Sequence, residues 1–104
     1  VSGGGSQSDQ VMQITADIFG MPVYRPHTFE TSSLGAAIAS AVGVGIHPDF
    51  NTAVTHMTHQ GDCFTPTAEH QATYDKLYNE VYKKMYAQLK PSYEAIRKIQ
   101  RVAI

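Results

Sequence analysis

Cysteine is nearly absent from this sequence. Cys63 is the only one in 104 residues, so no disulfide can form within the chain, and a reducing compartment suits it. Net charge is also close to zero, at −1, with 16% charged residues, so there is no basic field to attract nucleic acid or an anionic membrane surface. No apolar run approaches the ~20 residues that a bilayer-spanning helix needs, and no stretch has the form of a signal peptide. The expectation is a soluble, cytoplasmic chain with neither nucleic acid nor membrane as partner. No initiator Met precedes Val1. What the chain does have is 42% hydrophobic residues, enough for one small domain with a modest core or for a piece of a larger one.

The most informative stretch is Gly3-Gly4-Gly5-Ser6-Gln7-Ser8-Asp9. Three successive glycines carry an entropic cost that is useful where backbone must turn through positive φ or let another body come close. Ser6 and Asp9 are spaced as a capping box, which predicts a helix from about Gln7. Outward-pointing amides at such a turn, with the positive end of the helix dipole, make an anion site suited to a nucleotide phosphate. Gly-Gly-Gly-Ser taken alone also has the composition of a flexible linker or an expression scar.

From Gln7 to Phe19, Val11, Ile14, Thr15 and Ile18 share one helical face, with Met12 and Phe19 beside it; that face is expected to be core. Gly20 is placed to terminate the helix and Pro22 to forbid its continuation. Met21 to Pro26 then reads as a short edge strand. After the polar run Thr28 to Ser33, a second helix has Leu34, Ile38, Ala41 and Val42 as its buried side. Gly35, Ala36, Ala37 and Ala39 leave it slim enough to pack closely on the first helix, and Gly43 and Gly45 end it. His47-Pro48-Asp49 opens a further short helix to about His56.

His56, His59, Asp62 and Cys63 form a metal-like constellation. It lacks the second cysteine of a structural finger and the glutamate of a zincin motif, so no metal is assigned. The final third is a strong helical pattern, with Thr67 as cap and Glu69 near its start. Tyr74, Leu77, Tyr78, Val81, Tyr82, Met85, Tyr86 and Leu89 make one stripe, which reads as packing rather than as a stacking platform. Pro91 is expected to kink or break the helix near Gln88 to Lys90, with Tyr93, Ile96 and Ile99 continuing the apolar side beyond it. Part of that side is expected to pack on protein outside this chain.

Four pieces occur in order: Gly3 to Gly5, Met12 to Asp17 (Met-Gln followed by Ala-Asp), Gly20 to Val23 (Gly-x-Pro-Val), and Leu34 to Ala37 (Leu-Gly-Ala-Ala). Together they resemble the nucleotide-side segment of the FGGY carbohydrate kinases, in the pentulose-kinase branch. The resemblance covers most of the chain and is weakest between His47 and Gly61. It implies an α/β, helix-dominated fold, part of an actin-like ATPase (ribonuclease H-like) domain, with four to five helices and two short strands. Residues 1–104 would be a single partial domain, the C-terminal part of the ATP-binding domain, cut from a longer protein.

By position, the resemblance gives Gly4, flanked by Gly3 and Gly5, to the ATP phosphates. Ser8 falls beside the adenosine, where glycerol kinases often have asparagine; a serine offers one hydroxyl and cannot make the two-pronged contact of an amide. Gln7 is a weaker candidate for the ribose. Gly61 to Pro66 resembles a short strand, which would bury Cys63 and leave it no role as nucleophile.

Phosphoryl transfer also needs carboxylates for magnesium and a base for the acceptor hydroxyl. Here Asp9 is read as a cap and Asp17 as a polar helix residue, so no catalytic residue is assigned. The resemblance puts the Mg2+ ligands, the general base and the sugar pocket in parts outside this chain, and makes the segment alone inactive. Its partners would be ATP and a sugar held by the missing domain, with association of identical copies left open. Two other readings stay open: a stand-alone helical interaction module receiving a partner helix on the Tyr74 to Tyr86 stripe, and a small metal-binding domain through His56, His59 and Cys63.

Overall fold

A computed structural model describes residues 1–103. A single turn of 3-10 helix at Gly4–Gln7 leads into α1, Asp9–Phe19, and then β1, Val23–Pro26. Helices α2, Thr31–Gly43, and α3, Phe50–Met57, precede β2, Gln60–Phe64. The chain ends in α4, Ala68–Leu77, a π-helical turn at Tyr78–Tyr82, and α5, Lys83–Ala103. This is the helix-dominated α/β fold with two short strands that the sequence leads one to expect.

Local chemistry sets most of the boundaries. Ser8 stands in extended conformation before α1 and its Oγ accepts the Val11 amide at 3.3 Å. Gly20, at φ 64° and ψ 30°, closes α1 in the left-handed region and donates to the Ala16 carbonyl at 2.8 Å. Asp49 caps α3 by accepting the Thr52 amide at 2.7 Å, which holds its carboxyl below the ordinary range. The strands pair antiparallel, Val23 with Phe64 and Tyr24 with Cys63, and the register is irregular before Pro26 meets Gln60. Pro26 has no amide to give the ladder, which suits it to the end of a strand. The Gly61 backbone lies so close to β1 that a Cβ there would come within 2.8 Å of the Arg25 carbonyl oxygen.

The core is small. Met12 and Ala16 of α1 and Val23 of β1 are buried together, with Phe64 of β2 packed against them. Val11, Ile14 and Ile18, expected in the core, are exposed instead, as is Phe19 beside them. Helix α1 is apolar on more than one face, and the sheet covers the one centred on Met12. The slim helix α2 also departs from expectation, because it finds its partner in α3 rather than α1. Ile38, Ala41 and Ala53 are the buried residues of that pair.

Two further corrections concern the C-terminal half. Cys63 is exposed, since only one face of this two-stranded sheet is covered and Cys63 is not on it. Its proximity to Tyr24 raises the Tyr24 phenol above its ordinary value. Pro91 does not break the helix: α5 runs through it to Ala103, leaving the Ala87 carbonyl without its usual i+4 donor. The interruption lies earlier, at Tyr78–Tyr82, where two rings stack at 5.8 Å between centroids. From Leu77 to Val102 the apolar stripe is exposed; Tyr74, at its start, is half-buried. The described chain measures 57 × 46 × 21 Å, too flat and extended to wrap that stripe around a core of its own.

Candidate functional site

The glycine turn is ordered and accessible. Gly3 adopts φ 84° and ψ −179°, a conformation that essentially only glycine tolerates. Its amide donates to the Phe29 carbonyl at 3.3 Å, and its carbonyl accepts from the Ser6 amide at 3.1 Å and the Ser6 hydroxyl at 2.7 Å. Gly4 and Gly5 therefore open a short helical turn with their amides ahead of its first hydrogen bond, the position from which backbone donors face outward. A Cβ on Gly4 would meet no heavy atom within 4 Å, so the side-chain position of this exposed glycine is open.

Ser6 and Asp9 do not form the expected capping box. The Ser6 side chain is fully buried and turns back to Gly3, while the Asp9 carboxylate goes to Arg25. Ser8 takes over as cap, so α1 begins at Asp9 rather than Gln7. Of the residues assigned to the nucleotide, Gly3, Gly4, Gly5 and Ser8 are contiguous around this turn. Ser8 already has work within the fold, since its Oγ serves the helix.

Arg25 is the residue that sequence reading missed. From β1 its Nε donates to the Ser6 carbonyl at 2.6 Å and its Nη2 reaches the Gln7 carbonyl at 3.5 Å. Nη2 also pairs with Asp9, and Nη1 pairs with Asp62 of β2 at 2.9 Å. The guanidinium lies 5.2 Å from the centre of the Phe64 ring. Asp9, and to a smaller extent Asp62, raise the Arg25 pKa above its ordinary value against the opposing effect of burial. No local signal marks this cluster, because Asp9 lies 16 residues before Arg25 and Asp62 lies 37 after.

Asp17 is likewise more than a polar helix residue. It is 2% exposed; Oδ1 accepts the Thr67 amide at 2.7 Å and Gln13 Nε2 at 3.1 Å, and Oδ2 meets His70 Nδ1 at 3.2 Å. The Thr67 amide is the main cause that lowers the Asp17 pKa, with Gln13 and His70 adding to it and burial opposing. This carboxylate is committed to holding α4 on α1.

The histidines do not come together with Cys63. His56 stands edge-on to His47 at 5.3 Å, and His59 edge-on to His27 at 5.2 Å. Among the described residues no three of His, Cys, Asp and Glu gather in a way that could hold a metal ion. No helix among them is long and apolar enough to cross a membrane.

An exposed glycine turn feeding a helix that packs on a two-stranded sheet places the chain in the class of α/β segments with an open backbone turn at a helix start. The comparisons give the class a family: residues 1–44 match the C-terminal domain of the FGGY family of carbohydrate kinases. The uncharacterized sugar kinase YgcE of Escherichia coli (strain K12) is 41% identical over 100 residues, which are 92% of this chain and 20% of that protein. The L-xylulose/3-keto-L-gulonate kinase of the same strain is 32% identical over 97 residues, 93% of this chain and 19% of that one.

Other relatives are named glycerol kinase and autoinducer-2 kinase. The solved structure of a ligand-bound xylulose kinase from Lactobacillus acidophilus superposes with a TM-score of 0.77 at 25% identity, over 91% of this chain and 19% of that one. The chain is thus a C-terminal segment of the FGGY carbohydrate-kinase type, sharing the fold of sugar kinases of actin-like architecture. It spans about a fifth of the length of these relatives.

Proposed function

We propose that residues 1–104 form the C-terminal part of the ATP-binding domain of a kinase that transfers the γ-phosphoryl group of ATP to a sugar hydroxyl. Gly4, flanked by Gly3 and Gly5, approaches the nucleotide phosphates through its backbone amide, and Ser8 lies beside the adenosine. The observation that carries this reading is an exposed glycine turn whose amides at Gly4 and Gly5 have no helical partner, with room for a Cβ on Gly4. Such donors stabilise anionic oxygens without any side-chain charge.

Asp9 and Asp62 pair with Arg25, and Asp17 with Thr67 and His70, so the carboxylates nearest the turn are engaged within the fold. The Mg2+ ligands and the base are proposed to lie in other parts of the enzyme. A pentulose such as xylulose or ribulose is the proposed acceptor, supported by relatives named for xylulose and L-xylulose. The cytoplasm is the proposed location. The 104-residue chain alone is expected to give no turnover in a coupled kinase assay.

Gly4→Val in the full-length enzyme tests the reading. A Cβ at Gly4 meets nothing in the fold, so the variant should fold normally while its branched side chain fills the space a phosphate needs. The Michaelis constant for ATP should rise by about tenfold or more, on the order of 1.4 kcal/mol, with little change in that for the sugar. An unchanged ATP constant would refute the assignment.

A further inference from the structure

We propose that Arg25 is a positioning residue for the nucleotide phosphates: it fixes the orientation of the glycine turn from behind, without touching the phosphates. The proposal rests on the phosphate reading of the turn given above. Three glycines in a row are the most costly backbone to order, so a turn built from them needs an external hold if its amides are to converge on one point. Arg25 provides that hold. Its Nε and Nη2 take the carbonyls of Ser6 and Gln7, the two residues that end the turn. Peptide groups are planar, so fixing the Ser6 carbonyl also fixes the direction of the Gln7 amide, and Ser6 itself is pinned to Gly3 by two hydrogen bonds.

The other contacts of the guanidinium hold Arg25 still. Asp62 of β2 and Asp9 of α1 take its two terminal nitrogens, and the Phe64 ring lies 5.2 Å away. With two carboxylates against it, Arg25 carries little uncompensated charge toward a phosphate, and its hydrogen bonds point at carbonyls. Its contribution is therefore shape. A lysine could keep the charge but not the fork, because one ammonium cannot reach Ser6, Asp9 and Asp62 from a single rigid plane.

The test uses the full-length protein with MgADP as probe, titrated calorimetrically into wild type, Arg25→Lys, Arg25→Gln and Gly4→Val, with the melting temperature of each. For Arg25→Lys the expected result is a melting temperature close to wild type and a dissociation constant for MgADP raised by about tenfold, the scale of one lost alignment of hydrogen-bond donors. Arg25→Gln should be at least as weak, and if it fails to fold the lysine variant carries the test. A lysine variant that binds MgADP within about twofold of wild type, while Gly4→Val has lost affinity, overturns the positioning role and leaves the phosphate turn standing. A lysine variant that loses affinity only in proportion to lost folded protein overturns it too, as a purely structural effect. If Gly4→Val binds MgADP as wild type does, the phosphate turn falls, and the role of Arg25 falls with it.

Discussion

Asp17 Oδ1 accepts the main-chain amide of Thr67 at 2.7 Å, a bond that spans fifty residues of sequence and sets the first turn of α4 against the last turns of α1. The same carboxylate takes Gln13 and His70, so one buried side chain joins α1 to the start of the long C-terminal rod.

The folded-state pKa of Asp17 is lowered from its ordinary value of 3.8, chiefly by the Thr67 amide. The stability this contributes is fully present above the unfolded value and is lost as pH falls through the folded value. Acid titration followed by circular dichroism should therefore show docking of α4 weakening below about pH 4. Asp17→Asn should be less stable at neutral pH and should lack that component of the acid transition. A variant with an acid profile identical to wild type would show that the carboxylate charge is not what holds the helices together.

Met12 is fully buried at the centre of a small core, whereas Ile14 on the same helix is 45% exposed. Met12→Ala should cost about 2 to 5 kcal/mol in chemical denaturation, the usual cost of emptying a core methionine site. Ile14→Ala in the 104-residue chain should cost far less, and equal losses would contradict the burial pattern. With Val11, Ile14 and Ile18 uncovered, the chain by itself should bind an apolar dye, and Ile14→Asp should reduce that signal.

Ser8 is proposed to serve twice, as cap of α1 and as neighbour of the adenosine. Ser8→Ala should destabilise the helix by about 1 kcal/mol, since the Val11 amide loses its acceptor. Ser8→Asn keeps a capping side chain and should melt like wild type. Any change in MgADP affinity in the asparagine variant then reports on the nucleotide contact alone. Equal melting of the alanine variant and wild type would remove Ser8 from its capping role.

Gly61 permits the close approach of β2 to the main chain of Arg25. Gly61→Ala places a Cβ 2.8 Å from the Arg25 carbonyl oxygen, so the strands must shift, at a cost on the order of 1 to 3 kcal/mol. Because Arg25 then moves relative to Ser6, MgADP affinity of the full-length protein should fall alongside stability. Intact affinity would show that the turn keeps its shape without this registration of the sheet.

Much of the fold was legible from punctuation. Gly20 with Pro22, Asp49 before α3, and Gly43 with Gly45 act over one or two residues, and the structure follows each of them. Faces were read less well, because periodicity shows that a side is apolar but not which neighbour covers it. Thus Val11, Ile14 and Ile18 outrank Met12 and Ala16 as a hydrophobic set, yet the sheet meets the latter pair. Cys63 and Pro91 show the same limit: a strand buried on one face hides only alternate residues, and a helix with few lateral constraints can carry a proline.

The turn itself was visible in Gly3 to Gly5, but what shapes it was not. Ser6 and Asp9 matched a local capping pattern, and a long-range competitor displaced it, since Arg25 offers Asp9 a charged partner and Ser6 is drawn inward to Gly3. The anchoring of Asp17 to Thr67 was hidden for the same reason: its partner becomes a neighbour only after the chain has folded.

The π-helical turn at Tyr78–Tyr82 holds one residue more per turn than the helices on either side. In an α-helix each residue advances the azimuth by ~100°, but the wider π turn absorbs its surplus residue, so deleting one residue here would restore a regular α-helical turn and leave everything downstream near its present bearing. Met85, Leu89 and Ile96 would keep their direction. The same deletion within α4 or α5 would instead swing the downstream stripe by about 100°, so the π turn is the one place in the C-terminal rod where the loss of a residue should be tolerated.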